Sequence, residues 1–599
     1  MSLNKVASPI SATRLRLGRD VWWISLIFAL VVLSALIWLA GVLSGLPAHH
    51  RPAGINWTQA GAASAGVFIH FTDPAAAFPR GSGVGGPIPF WGLFASECAG
   101  AFYLTKALWL RWQRRQADGA DGLATRKQLE NAMGEAKALT RVPSLRPSLA
   151  KAPAGSVDVR EVAVFCGTAD PAQLPLWLTI EESLLIVAPP REGKTQQLIL
   201  PAILDFAGTV LATSSKTDVL FATAKLRERH GKVMALDATG LSGWPYQLQW
   251  PLTDGCEDFQ TARRRAETLT SSTKSEEGTK NGGYFAMNAK MLITCWLHAA
   301  ALESRNALDI LKWATSPAER EAVDILARRG KVDLSRALAA QHSAAPEERS
   351  ASWRTAEQSF VALYDERVAG IFAPRKSNFD IEAWLRGGGT LFLIGDEEEG
   401  SALAPILATF VQAILDTAKK VAARMPNGRL DPPLGCFLDE LANVAPLPQI
   451  PSFMSVSGSQ NIFVAAVLQN LAQAEERWGQ TGVRKLFGAA TAKIILGGVS
   501  DEQELKAYSA LVGEFDEDTE SVSDDGDRVS SSLSVRRRAA LEPSDIRMLE
   551  ERMGLLVHRR TPATRVRFVR AYEGPRGAEI AAATREALAM VNPEAVPGA

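Results

Sequence analysis

Apolar residues recur along this chain in two rhythms, and the rhythms divide it. Val21 to Leu46 is a run of 26 residues without one Asp, Glu, Lys or Arg. As a helix rising ~1.5 Å per residue, it is long enough to cross a ~30 Å hydrocarbon layer. Pro87 to Leu110 is a second apolar run, interrupted by Glu97 and Lys106. Lys106 can snorkel from near the end, whereas Glu97 lies nearer the middle and calls for a partner in a bundle. Further on the runs are short: Ser183–Val187, Thr209–Thr213, Val233–Leu236, Thr390–Ile394, Leu434–Leu438, Ile462–Val467 and Lys493–Leu496. Near-continuous apolarity of strand length predicts a mostly parallel sheet covered on both faces, with crossover helices between strands. Val159 to Leu178 alternates enough to add one or two strands ahead of it. From Asp258 to about Arg367 the period changes to that of helices, at Phe285–Leu302, Ala318–Leu326 and Ala351–Tyr364. These patterns predict an all-α domain inserted in the sheet's connectivity.

Charge orients the N-terminal runs. Lys5, Arg14, Arg16 and Arg19 precede the first, Arg111, Arg114 and Arg115 follow the second, and 47–89 carries only Arg51 and Arg80 as cations. The positive-inside tendency therefore predicts a transmembrane hairpin with both ends in the cytoplasm. Over all 599 residues, 65 basic and 65 acidic side chains cancel, so any DNA-handling surface must be local, such as the lining of a pore. Cys98, Cys166, Cys256, Cys295 and Cys436 are far apart, with no CxxC and no grouping with His. That spacing argues against a zinc site and a disulfide framework. Pro143, Pro147 and Pro153 are expected to keep a linker extended. Residues 514–527, with eight acidic side chains ahead of Arg536-Arg537-Arg538, read as a solvated loop, or functionally as an electrostatic gate or docking strip. The Ala/Pro/Glu-rich tail from Glu573 reads as loosely ordered.

The predicted layout is a basic cytoplasmic N-terminus (1–20), spans at 21–46 and 87–110 around an external loop (47–86), and a cytoplasmic linker (111–157). A nucleotide-binding domain in two parts (158–254 and 376–572) follows, with the helical insertion (255–375) between them and a flexible tail (573–599).

The chemistry centres on Ala188-Pro-Pro-Arg-Glu-Gly-Lys-Thr195, which joins an apolar strand to a helical pattern through Leu198, Ile199, Ile203 and Phe206. Strand, loop ending in Gly-Lys-Thr, then helix is the context of a phosphate-binding P-loop. The loop residues Pro190, Arg191, Glu192, Gly193, Lys194, Thr195 and Gln196 wrap an anion at the helix N-terminus, all but Pro190, which has no N–H, offering backbone donors. Lys194 supplies a point charge for the β and γ phosphates, and the Thr195 hydroxyl can ligate Mg²⁺. Ala188 stands where the strict pattern has its first glycine, which costs little only if its φ is negative. The partner carboxylates are Asp439 and Glu440, at the end of the Leu434–Leu438 strand: Asp439 to hold Mg²⁺, Glu440 to act as general base on water. Gln469 ends the next strand and can orient that water and sense the γ-phosphate, with Gln473 one turn further a weaker candidate. Ser214-Ser215-Lys216 and Asp237 also fall at carboxyl ends of strands, where doubly wound sheets bind ligands. Arg375, Arg477 and Arg547 are candidates for an arginine supplied to a neighbouring subunit.

In this combination and order, the chain resembles the TraG/TraD-like coupling proteins of type IV secretion, and looks closest to their actinobacterial forms. The resemblance rests on the paired spans, the P-loop, Ala212-Thr-Ser-Ser-Lys-Thr-Asp218, Trp250-Pro251-Leu252 ahead of the helical insertion, and Phe437-Leu-Asp-Glu-Leu441. Val467-Leu-Gln-Asn-Leu-Ala-Gln473 and Lys493-Ile-Ile-Leu-Gly-Gly498 fit it too. It implies an α/β, RecA-like P-loop ATPase with ATP and Mg²⁺ as cofactors, Lys194, Glu440 and Gln469 catalytic, and Thr195 and Asp439 on the metal. It further implies a homo-hexamer in the plasma membrane with ATP at subunit boundaries. Such a ring recruits a relaxase with its single-stranded DNA, selects it through the helical domain, and links it to the secretion channel proteins. Two other readings stand beside it: a double-stranded DNA pump of the FtsK type, and a catalytically idle membrane scaffold. A compact DNA-reading domain at the end of the chain would mark the first, and hydrolysis indifferent to Glu440 the second.

Overall fold

The computed structural model describes residues 30–47, 50–116, 122–153, 155–272, 282–395, 401–524 and 529–592. The basic N-terminus, the start of the first span and parts of the 270–283 loop and of the tail lie outside them. The chain forms two compact units: one holds the N-terminal residues through Gly122 together with Glu514–Arg538, and the other holds the rest.

In the first unit, α1 (Leu30–Pro47, mean hydropathy 2.1), α2 (Trp57–Ile69) and α3 (Pro87–Gln116) are the long elements. Ile37, Ala40, Ile55, Ala63, Val67, Phe78 and Phe90 form their common core. The segment expected to be a plain external loop, 47–86, thus contains a helix of its own. Its Ala and Gly residues carry little hydropathy signal but allow close helix contact, as where Ser34 and Ser64 hydroxyls meet at 3.3 Å. The acidic segment expected as a loop is also ordered, as a two-stranded antiparallel ribbon of β10 (Glu514–Asp524) and β11 (Val529–Ala539). Arg537 of one strand faces Glu514 and Asp516 of the other at 3.8 and 3.6 Å, so opposite charges on paired strands replace apolar alternation.

The second unit is built on an eleven-stranded sheet in the order β2-β1-β13-β12-β9-β3-β8-β7-β4-β6-β5. Its strands are β1 (Ala163–Asp170), β2 (Leu174–Thr179), β3 (Ser183–Val187), β4 (Thr209–Ser214), β5 (Val233–Asp237) and β6 (Thr390–Ile394). They continue with β7 (Leu434–Leu438), β8 (Ile462–Leu468), β9 (Ala492–Leu496), β12 (Met553–His558) and β13 (Thr561–Arg567). From β9 to β5 every neighbouring pair is parallel. The edge β12, β13, β1 and β2 is antiparallel. Each central strand is buried on both faces: Leu185 and Val187 of β3 join one core, Leu184 and Ile186 the other. This mixed, mostly parallel sheet with crossover helices is consistent with the RecA-like P-loop fold expected from the sequence.

Between β5 and β6 the chain is helical, from Phe259–Ser272 through Gly282–Leu302, Glu321–Arg328 and Pro346–Gln358 to Glu366–Phe372. Gly282–Leu302 is apolar enough for a span, with mean hydropathy 1.2, but it is mostly buried as the centre of this helical region. The insertion is clamped at its root, where the Trp250 and Leu252 N–H groups donate to the Ile371 and Phe372 carbonyls, both at 2.8 Å. Two expectations are corrected. Pro143 and Pro147 do not hold an extended linker but sit in the first turns of short helices, Val142–Leu145 and Pro147–Leu149, where a missing N–H costs nothing. The expected loose tail contains a helix, Gly577–Val591, because Ile580, Ala583 and Ala587 bury one face at helical spacing.

Candidate functional site

The P-loop leaves β3 at the centre of the sheet. The Ala188 N–H extends the parallel ladder by one bond, donating to the Leu468 carbonyl at 3.0 Å, and Pro189 and Pro190 then end it. Ala188 is absent from the left-handed residues, so the missing glycine carries no backbone penalty. Left-handed backbone falls instead at Arg191 (φ 72°) and Gly193 (φ 76°). A Cβ at Gly193 would lie 2.4 Å from Gln197 Nε2, so this position requires glycine. Thr195–Ile199 is one π-helical turn before Leu200–Asp205 continues as α-helix. Such widened turns cluster at functional sites.

Asp439 and Glu440 arrive from β7, one strand beyond β8. Thr213 Oγ1 of β4 donates to the Asp439 carbonyl at 2.8 Å and fixes the backbone there. Glu440 has φ 53°, a strained conformation for a residue with a side chain, and it turns the chain sharply into the Leu441–Val444 helix. The two motifs meet. Thr195 Oγ1 donates to Asp439 Oδ2 at 2.9 Å, and Lys194 Nζ lies 3.8 Å from Asp439 Oδ1 and 3.9 Å from Glu440 Oε1. Asp439 is 4% exposed, yet its Oδ1 accepts no hydrogen bond among the described residues, and neither does Glu440 Oε2. Burial pushes the Asp439 carboxyl above its ordinary value; Lys194 and Thr195 oppose the shift, while Glu440 and Asp218 add to it.

These residues line a cavity of about 550 Å³ with Pro190, Arg191, Gly193, Gln196 and Gln469. Gln473 lines it too, donating from Nε2 to Asn443 Oδ1 at 2.8 Å. Of the expected cradle residues Glu192 is the exception: its carboxylate turns toward Gly498, beyond β9, and does not line the cavity. Arg375, Arg477 and Arg547 are likewise not on its wall. Ser214, Ser215 and Lys216, expected at a ligand-binding strand end, line the cavity, whereas Asp218 and Asn443 were not singled out from the sequence as site residues. Their signal was position, since Ser214 ends β4, Ser215, Lys216 and Asp218 follow it, and Asn443 lies one turn after Glu440. Hydroxyl, buried carboxylates with an unfilled oxygen, a lysine and loop N–H groups make a donor set that fits a hard divalent cation bound to phosphates.

Residues 433–551 match the family model described as the TraM recognition site of TraD and TraG. The fold is similar to that of the bacterial conjugative coupling protein TrwB, in the unbound TrwBdeltaN70 form, with TM-score 0.52 and 17% identity over 67% of this chain and 88% of that one. TrwB in complex with the non-hydrolysable GTP analogue GDPNP gives TM-score 0.51 and 18% identity over 67% and 89% of the two chains. TrwB in complex with ADP and Mg²⁺ gives 0.50 and 17% over 68% and 90%. No curated protein matches in sequence. The chain therefore shares the fold of a conjugative coupling protein, and over 433–551 is similar to the segment described for TraD and TraG.

Proposed function

We propose that the protein is a membrane-anchored ATPase that couples a relaxase–DNA or protein substrate to a type IV secretion channel and drives its transfer. One observation carries the reading: Lys194, Thr195, Asp439, Glu440 and Gln469, from three separate stretches of sequence, converge on a single cavity at the carboxyl ends of β3, β7 and β8. A magnesium–nucleoside triphosphate bound there supplies the phosphoanhydride whose cleavage releases the working energy. The loop N–H groups and Lys194 hold the phosphate charge, and the Thr195 hydroxyl and Asp439 hold the metal. Glu440 takes the proton from the attacking water, and Gln469 fixes that water's orientation as a neutral donor and acceptor.

Around this centre the subunits form a hexamer, with an arginine of one completing the charge balance in the next. The α1–α3 hairpin anchors the ring in the plasma membrane with the ATPase unit in the cytoplasm, and the helical insertion selects substrate. The likeness to actinobacterial forms rests on motif pattern alone. The test is hydrolysis by the full chain in lipid nanodiscs, with single-stranded, double-stranded or no DNA. Stimulation by single strands supports the reading, stimulation by duplex alone favours a duplex pump, and hydrolysis indifferent to both removes DNA from it.

A further inference from the structure

We propose that α2 is embedded in the bilayer, as a re-entrant helix facing lipid, and is not part of an external aqueous loop. The inference rests on the membrane-anchored reading of α1 and α3, and three observations carry it.

The first is composition. Residues 52–72 carry no Asp, Glu, Lys or Arg over 21 positions. The second is the outward face of the helix. One side of α2 is buried at Ala60, Ala63 and Val67. The opposite side, which in water would be polar, consists from residue 61 onward of Gly61, Ala62, Ala65, Phe68 and Ile69, all exposed. Ile69 is 77% exposed, and the adjoining Phe71 and Ile88 are 60% and 87% exposed. Phe71 stacks on Trp91 of α3 at 4.6 Å, and Phe68 packs on Trp91 and Phe94 at 5.7 and 6.2 Å. The result is a continuous aromatic and aliphatic surface along the side of the span, of the kind that bilayers cover.

The third is depth. The Ser34 and Ser64 hydroxyls lie 3.3 Å apart, which brings the middle of α2 against α1 at Ser34. Ser34 is near the midpoint of the uncharged run 21–46. It lies ten residues, ~15 Å along a helix, below Ser44, whose hydroxyl accepts from the Gly85 N–H where the chain turns into α3. With Ser44 at the outer boundary, the centre of α2 sits well inside a hydrocarbon layer ~30 Å thick. Its thirteen residues are too few to cross and suit a helix that enters and returns. The backbone polar groups it takes there are satisfied within the helix, and Ser64 Oγ donates to the Ala60 carbonyl at 2.9 Å.

The test uses the full chain in intact cells, with single cysteines placed by Ile69→Cys, Phe71→Cys and, as the loop reference, Arg80→Cys, all in a cysteine-free background made by Cys98→Ser and by replacing the buried Cys166, Cys256, Cys295 and Cys436 with Ala. A membrane-impermeant maleimide is added before or after detergent. The expected result is that Arg80→Cys labels in intact cells, while Ile69→Cys and Phe71→Cys label only after detergent. Labelling of all three in intact cells would overturn the proposal and leave the anchor standing, because α2 would then lie in external water. Arg80→Cys protected in intact cells and labelled after detergent would place the loop inside the cell, overturning both the hairpin orientation and this inference.

Discussion

The two ends of the central parallel strands both bury a carboxylate, and they treat it in opposite ways. At the amino end, Glu182 precedes β3 and is saturated. It accepts from the Thr179 N–H at 2.8 Å and the Thr179 hydroxyl at 3.1 Å, meets His558 Nε2 at 2.7 Å, and forms an ion pair with Arg559 Nε at 3.1 Å. Burial opposes its charge, but His558, Arg559 and Thr179 outweigh burial and hold the carboxyl below its ordinary value. At the carboxyl end, Asp439 keeps an oxygen without a hydrogen-bond partner among the described residues, and its carboxyl is pushed up. A buried polar atom left unsatisfied in a native fold calls for an explanation, and a ligand is the simplest one. The amino end is saturated, and the carboxyl end leaves a buried oxygen open, as the proposed metal and phosphate site requires.

The largest expected effect tests the second half of that contrast. Glu440→Gln keeps the size of the side chain and removes the base, so turnover in a phosphate-release assay should fall by about 10²–10⁴ while nucleotide affinity stays within a few-fold. Next in size, Glu182→Ala leaves His558 Nε2 without its hydrogen-bond partner and Arg559 without its counter-charge, and should cost about 3 kcal/mol in denaturant unfolding, without changing turnover per folded molecule.

The contrast also has a sign. In the nucleotide-free protein, the raised Asp439 carboxyl binds its proton more tightly folded than unfolded. Its contribution therefore favours the fold least at high pH, with stability falling as pH rises from the ordinary Asp value through the raised one. Asp439→Asn should remove that slope and raise stability at neutral pH by about 1 kcal/mol, while abolishing magnesium-dependent nucleotide binding. The depressed Glu182 carboxyl works the other way: its contribution is present above the ordinary Glu value and is lost as pH falls through the lower folded one. Denaturation curves over pH for Glu182→Gln and Asp439→Asn should therefore depart from the parent in opposite directions. The smallest effect is expected for Gln473→Ala, which loses one bond to Asn443 on the cavity wall and should lower turnover by no more than about threefold.

How much of this was legible in the sequence follows from the same burial pattern. β3, β4, β6, β7, β8 and β9 lie inside the sheet with both faces covered, so their apolar runs are nearly unbroken and marked their own positions within a residue or two. β13 went unseen because it interleaves Arg565 and Arg567 with Thr561 and Thr564; β12, Met553–His558, is buried throughout and was missed although its run is apolar. The ribbon β10–β11 and the helix Gly577–Val591 were hidden by acidic and alanine-rich composition, which imitates disorder when the facing strand or helix is not known. α2 was hidden because small residues pack by proximity more than by hydropathy. At the site, the motifs named Lys194, Thr195, Asp439 and Glu440. Only the fold could bring residues 244 apart to 2.9 Å, show Glu192 turning away, and add Asp218 and Asn443 to the wall.

The central claim is that this cavity binds a magnesium–nucleoside triphosphate and hydrolyses it through Glu440. The most direct measurement is parallel equilibrium binding and single-turnover hydrolysis of ATP by the full chain and its Glu440→Gln variant in nanodiscs, with and without Mg²⁺. The account expects magnesium-dependent binding by both and hydrolysis by the parent alone. Equal hydrolysis by the two proteins, or binding by neither, would contradict it.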